Sequence, residues 1–161
     1  MMTDIENGTS GDIVIGRDIM TEFRFSESFV SPQFLRSTPA VLSTLSVRVD
    51  NKSHRVWLNA IVNWSVYAGP AKDLAVLLFE ILRGGKVIYS IAQSASLHPR
   101  SVAFMNVQLQ HVDANPLAGY EANSGFVQYR LRVSPLSIPA GVFVTTLSQV
   151  FTAVELKAAD M

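Results

Sequence analysis

Between Arg55 and Tyr67 every even-numbered position from 56 to 66 is apolar: Val56, Leu58, Ala60, Val62, Trp64 and Val66. Side chains of a β-strand point alternately to opposite faces, so a period of two places all six on one side of a sheet. The same alternation recurs at Leu45, Val47 and Val49 against Thr44, Ser46, Arg48 and Asp50. It returns at Ala103, Met105, Val107 and Leu109 against Asn106, Gln108 and Gln110, and at Val127, Tyr129, Leu131 and Val133 against Gln128, Arg130 and Arg132. Thr21, Phe23 and Phe25 share one side of an earlier strand. The last long run, 142–158, reads as one strand or two, with Val150, Val154 and Leu156 on one face and Gln149, Glu155 and Lys157 on the other.

Turn residues separate these runs. Asp50-Asn51-Lys52-Ser53 predicts a reversal from the strand before it into the strand after it. Gly84-Gly85 predicts a two-residue hairpin turn with both glycines at positive φ, which sets Leu82 opposite Val87, Ile81 opposite Ile88 and Glu80 opposite Tyr89. Residues 71–82 have some helical propensity, but 87–91 needs a partner strand and the glycine pair supplies it. Pro32 and Pro39 mark a loop over 26–39, 113–125 reads as a long turn, and 135–141 closes the strand before it. Eight to nine short strands without an amphipathic helix predict an all-β, antiparallel β-sandwich, jelly-roll-like. Residues 1–16 read as a flexible N-terminal lead or connector ending in the apolar Ile13, Val14 and Ile15, and 17–161 as a single β-sandwich domain.

Composition narrows the partners. With 48% hydrophobic and only 16% charged residues the 161-residue chain is apolar for a monomer, which points to surface covered by another subunit. Thirteen basic and thirteen acidic residues cancel, leaving no positive field for nucleic acid or an acidic membrane. The absence of cysteine excludes disulfides and thiolate chemistry without naming a compartment. The first eleven residues lack the basic and apolar segments of a secretory signal, and no run is long enough for a membrane span.

Candidate chemistry is sparse. Metal-dependent jelly rolls hold their ion on clustered histidines, whereas His54, His98 and His111 are scattered and read as three unrelated surface residues. The oxygens of 111–115 would suit calcium, but the glycine-centred loop and terminal glutamate are missing, and turn chemistry explains the segment. No Gly-x-Ser-x-Gly elbow is present. Glu80 and Glu155 could form an acid–base pair, although solvent-facing or interface positions bonded to Tyr89 or Arg130 are the expectation. Together these features predict a chain that is not an enzyme and takes no cofactor and no metal.

Trp57, Ile61 and Tyr67 fall on the outward face of the 55–67 strand among polar residues, while Trp64 belongs to its core face. An outward apolar stripe predicts a subunit interface, with sugar stacking on Trp57 and Tyr67 as the alternative.

The strand pair with its polar turn (Val47 to Trp64), the hairpin, and the C-terminal strand Gln149-Val150-Phe151-Thr152-Ala153-Val154-Glu155-Leu156 together resemble the tumour-necrosis-factor/C1q-like jelly rolls, whose bacterial versions occur in spore-surface and exosporium proteins. The resemblance covers roughly residues 18 to 158. It implies a compact homotrimer at a cell or spore surface, used for adhesion or as a surface layer. The Gly-x-Tyr-x-Phe signature of the C1q group is absent, and no binding residue is carried over.

The expected function is a non-enzymatic structural subunit that self-assembles. It would form a closed trimer, or a fibre in which Ile13, Val14 and Ile15 add a strand to the next copy's open sheet edge. A carbohydrate-binding β-sandwich module, a phage or capsid-like structural protein and a metal-dependent jelly-roll enzyme are the alternatives.

Overall fold

The structure, a computed structural model, describes residues 13–15, 18–28, 33–70, 73–119 and 124–158. Among the described residues are ten strands: β1 (Ile13–Ile15), β2 (Asp18–Ser28), β3 (Gln33–Leu35), β4 (Ala40–Val49), β5 (Arg55–Ala68), β6 (Asp73–Arg83), β7 (Lys86–Leu97), β8 (Val102–Asp113), β9 (Gly125–Ser137) and β10 (Val142–Ala158). Residues 1–12, most of the expected N-terminal lead, lie outside the described residues. The apolar triplet 13–15 is an edge strand, paired antiparallel with β2 of its own chain.

One sheet runs β1-β2-β10-β5-β8, with β3 also on β10, and the other runs β4-β9-β6-β7. Without the two three-residue strands this leaves the orders β2-β10-β5-β8 and β4-β9-β6-β7. All pairings are antiparallel. Only β6 and β7 join sequential neighbours among these eight long strands. Every other connection crosses between sheets, which makes the fold an eight-stranded jelly roll with two small additions.

The alternating positions form the core as expected. Val56, Leu58, Ala60, Val62, Trp64 and Val66 are all buried, as are Leu45, Val47 and Val49, and Val127, Tyr129, Leu131 and Val133. Trp64 packs against Phe79 of the opposite sheet with ring centroids 6.2 Å apart. Its indole N–H donates to Gln93 Oε1 at 2.8 Å, so the buried donor is satisfied.

The expected loop over 26–39 instead holds the end of β2 and the whole of β3, and four further sequence expectations need correction. The polar turn at 50–53 does not join paired strands, because β4 lies on β9 in one sheet while β5 lies between β10 and β8 in the other. Alternation alone does not distinguish a hairpin from a crossing, and here the two apolar faces meet across the core.

In the β6–β7 hairpin Leu82 does face Val87, but a register shift follows: Ile81 faces Tyr89 and Glu80 faces Ser90, leaving Ile88 as the extra residue of a bulge. Of the two glycines only Gly84 has positive φ (59°), the pattern of a turn that needs it at the first central residue. The third difference is in β9, which runs through Pro135 to Ser137 rather than ending before it.

The fourth correction concerns β10, which is one strand of 17 residues. Its register against β5 shifts between Thr146 and Ser148. Val142, Val144 and Thr146 are buried before the shift, and Phe151, Ala153 and Glu155 after it. An extra residue in a period-two strand exchanges its faces. Glu155 therefore points into the sandwich, and Val154 and Leu156 lie on the outer face.

Candidate functional site

Chain direction gives the sandwich two ends. The connection 50–54, the turn Gly84-Gly85 and the start of the β8–β9 connection lie at one; 36–39, 98–101 and 138–141 lie at the other.

The first end holds two buried carboxyl side chains, Glu155 and Asp113. His54 Nδ1 is 2.7 Å from Glu155 Oε1, and the Asp50 backbone N–H donates to the same oxygen at 2.7 Å. The Asn51 side chain accepts from Ser53 N, which tightens the turn that delivers His54. His54 is thus buried, not a surface residue. Glu155, at 1% side-chain exposure, lies inside the sandwich with His54 and the Asp50 backbone rather than at a solvent-facing position.

Two strands away, Val56 separates Glu155 from Asp113 by register. Arg83 Nη1 donates to both Asp113 oxygens at 2.8 and 2.9 Å, and Tyr129 Oη donates to Asp113 Oδ2 at 2.9 Å. Arg83 also bonds the Asn115 carbonyl, and Asn115 N donates to Asp113 Oδ1. The turn reading of 111–115 accounts for these contacts, and the Asp113 carboxylate is occupied by its own chain.

Glu80 lies on the outer face of the four-stranded sheet, so it forms no carboxylate pair with Glu155. Arg132 grips it with Nε at 2.8 Å and Nη2 at 3.0 Å, and Ser134 Oγ donates at 2.6 Å. Burial opposes its charge, but the hydrogen bonds from Arg132 and Ser134 and the guanidinium charge outweigh that and hold its carboxyl below the ordinary value. Arg132 is raised by its hydrogen bond to Glu80, against the opposing effect of burial, with the carboxylate charge adding to the rise. His98 lies in the β7–β8 turn, and His111 stacks on Tyr89 at 5.3 Å. No three metal-ligating side chains converge among the described residues.

The opposite end carries exposed rings. On the outer face of the six-stranded sheet, register aligns Phe143, Tyr67 and Val102 in one row and Thr145, Ser65 and Phe104 in the next, with Phe34 of β3 beside Thr145. Phe34, Tyr67, Val102, Phe104 and Phe143 are 44% to 74% exposed, too much for side chains that merely cap a core. The Tyr67 and Phe143 rings lie 6.3 Å apart. Phe34 and Phe143 also form the rim of an open cleft of about 760 Å³ whose walls include Leu35, Leu136, Ile138 and Val142. Three connections are stitched together beneath this end: Gly69 N donates to Gly141 O at 2.9 Å and Arg100 N to Gly69 O at 2.7 Å. A Cβ on Gly69 would stand 3.0 Å from the Gly141 oxygen, so a larger residue would press on that carbonyl by a few tenths of an ångström.

Trp57, Ile61 and Tyr67 do share the outer face of β5, but not one cluster. Ten residues of extended strand put Trp57 about 33 Å from Tyr67. By register Trp57 sits between Val154 and Val112, with Phe23 beyond Val154. Between the two apolar ends runs a polar band: Asn63 donates to Ser148, Asn106 to Asn63, and Thr152 to the Asn59 carbonyl. Ile61 lies within that band. The side chains of Ile13, Val14 and Ile15 are outside the described residues.

Sequence reasoning passed over Phe34, Val102, Phe104 and Phe143. The parity of β8 already placed Val102 and Phe104 opposite Ala103 and Met105, so two large apolar residues at outward positions were the available signal.

No protein-family model and no curated protein matches the chain. Solved structures with a similar course include that of the infectious bursal disease virus Gt strain, at 9% identity and a TM-score of 0.44, covering 100% of this chain and 47% of the other. A subviral particle of VP2 from infectious bursal disease virus is 11% identical with a TM-score of 0.42, over 89% of this chain and 39% of the other. Dimeric latent PorU from Porphyromonas gingivalis is 12% identical with a TM-score of 0.41, over 96% of this chain and 14% of the other. The chain spans less than half the length of each.

Proposed function

We propose that the protein is a non-enzymatic structural subunit that associates with copies of itself, in a surface layer or a capsid-like shell, through the outer face of its six-stranded sheet. The observation that carries this reading is the patch formed by Phe34, Tyr67, Val102, Phe104 and Phe143. Aromatic side chains present about 150–250 Å² each, so the patch amounts to on the order of 500 Å², near the upper limit for a monomer. A stable interface takes roughly 800 Å² per partner, so the patch would form the apolar centre of one.

Its position on a paired sheet also favours this role. Every patch residue except Phe34 stands on a long strand hydrogen-bonded into the fold, so little conformational entropy remains to be lost on contact. Tyr67 belongs to this contact, while Trp57 and Ile61 stand further along the same face.

Sedimentation velocity over a wide concentration range tests the reading. The unaltered chain is expected to associate, and Phe104→Ser with Phe143→Ser to weaken association by at least about thirtyfold, the loss of one interface hot spot. A monomer at every concentration, or association unaffected by both substitutions, overturns the proposal. Light scattering then separates a closed trimer from an open polymer.

A further inference from the structure

The jelly roll leaves strand edges open, and they are not equally protected. At one side of the six-stranded sheet, β2 carries Glu22, Arg24 and Glu27, and β1 covers its first residues. Charges on an edge strand oppose pairing with another chain. At the other side, β8 is crossed by β7: Gln93 Nε2 donates to the Asn106 carbonyl at 2.9 Å, and the Tyr89 ring stacks on His111.

Those contacts engage side chains of β7 and leave its backbone edge unbonded by β8 among the described residues. β7 is the terminal strand of its sheet, and its partner is β6. Among the described residues no backbone hydrogen bond from outside that hairpin reaches it. From Tyr89 to Leu97 it reads Tyr-Ser-Ile-Ala-Gln-Ser-Ala-Ser-Leu, with no charge, no proline and no glycine. The bulge at Ile88 lies before this stretch and leaves it regular. Ile91, on the core-facing parity, is still 36% exposed at the open side of the sandwich.

We infer that β7 pairs antiparallel with β7 of a second copy, about a two-fold axis passing through the 90–94 stretch, so that two four-stranded sheets become one of eight strands. The occupant is a second copy because a strand edge is complementary to itself under a two-fold axis, and an uncharged one carries no side chain that opposes the match. The pairing would satisfy the open edge of β7 and cover Ile91. It uses a different sheet and different residues from the aromatic patch, so one chain could make both contacts at once and build an extended assembly. The inference deepens the self-association proposed above and rests on it.

The absence of cysteine makes the test clean. Single cysteines are placed in turn at Ser90, Ile91, Ala92, Gln93 and Ser94 in the full chain, and mild oxidation is followed by non-reducing gels. A two-fold axis between antiparallel strands makes one residue face itself, with Cα atoms about 4.5–5.5 Å apart, within disulfide reach. A residue two positions away faces its copy at about 13 Å, outside that reach. One sharp maximum of cross-linked dimer is therefore expected.

Ala92→Lys sets like charges against each other across the axis and is expected to raise the dissociation constant of this contact at least tenfold while leaving the circular dichroism unchanged. Equal yields at all five positions, or none, overturn the inference. If association persists and remains sensitive to the Phe104 and Phe143 substitutions, the proposed function stands without the edge contact. A chain monomeric at all concentrations overturns both.

Discussion

At one end of the sandwich the inward side chains are polar and paired, His54 with Glu155 and Arg83 with Asp113, each bonded to a partner from another part of the chain. At the other end the outward side chains are rings, and Phe104, Phe34 and Phe143 face solvent. The two ends put their interactions to different uses. Buried charges tolerate very few geometries, so the ionic end fixes the course of its connections. Exposed aromatic surface contributes little to the isolated fold, and under the proposed function it is buried on association. Stability and assembly are thus expected to separate along the length of one domain.

The largest effect is expected from Asp113→Ala, which removes the buried acceptor of Arg83 and of the Tyr129 hydroxyl and should cost about 3–5 kcal/mol in chemical denaturation. A loss below about 1 kcal/mol would show that the ionic end is not the more demanding one. The Phe104→Ser and Phe143→Ser chain should show the reverse, with unfolding free energy changed by no more than about 0.5 kcal/mol per site and association strongly reduced. A large loss of stability there would erase the contrast between the ends.

A smaller effect concerns the face of the four-stranded sheet. Because the folded-state value of Glu80 is lowered, its pairing with Arg132 stabilises the fold fully above the ordinary glutamate value of about 4.3, and that contribution is lost as the pH falls through the lowered value. Glu80→Gln should flatten this part of the acid limb in a stability–pH titration and leave the neutral-to-alkaline profile unchanged in shape. The smallest expected change is at Ser43, whose buried hydroxyl has no hydrogen-bond partner among the described residues. Ser43→Ala should be neutral or raise stability by up to about 1 kcal/mol, read as a shift in denaturation midpoint at constant slope.

The candidate surface was partly legible in the chain. Tyr67 was visible as an aromatic residue at an outward position of a well-patterned strand. Phe104 was equally visible by parity on β8. Phe34 and Phe143 were not, because only the pairing of β10 with β5 sets Phe143 beside Tyr67, and that of β3 with β10 brings Phe34 to the neighbouring row. Trp57 and Tyr67 looked like one stripe in the sequence, yet a strand spreads ten residues over most of its length.

The face on which each residue of β4, β5, β8 and β9 lies followed from the sequence alone, because period two is a local property of an extended backbone. The hairpin at Gly84-Gly85 was local in the same way. Which strands are neighbours, where the bulges at Ile88 and Leu147 reset parity, and which partners meet the buried charges were settled by the folded arrangement. Those outcomes depend on residues about a hundred positions apart, as Glu155 is from His54 and Asp50. A one-residue bulge is enough to turn an expected surface carboxylate into a buried one.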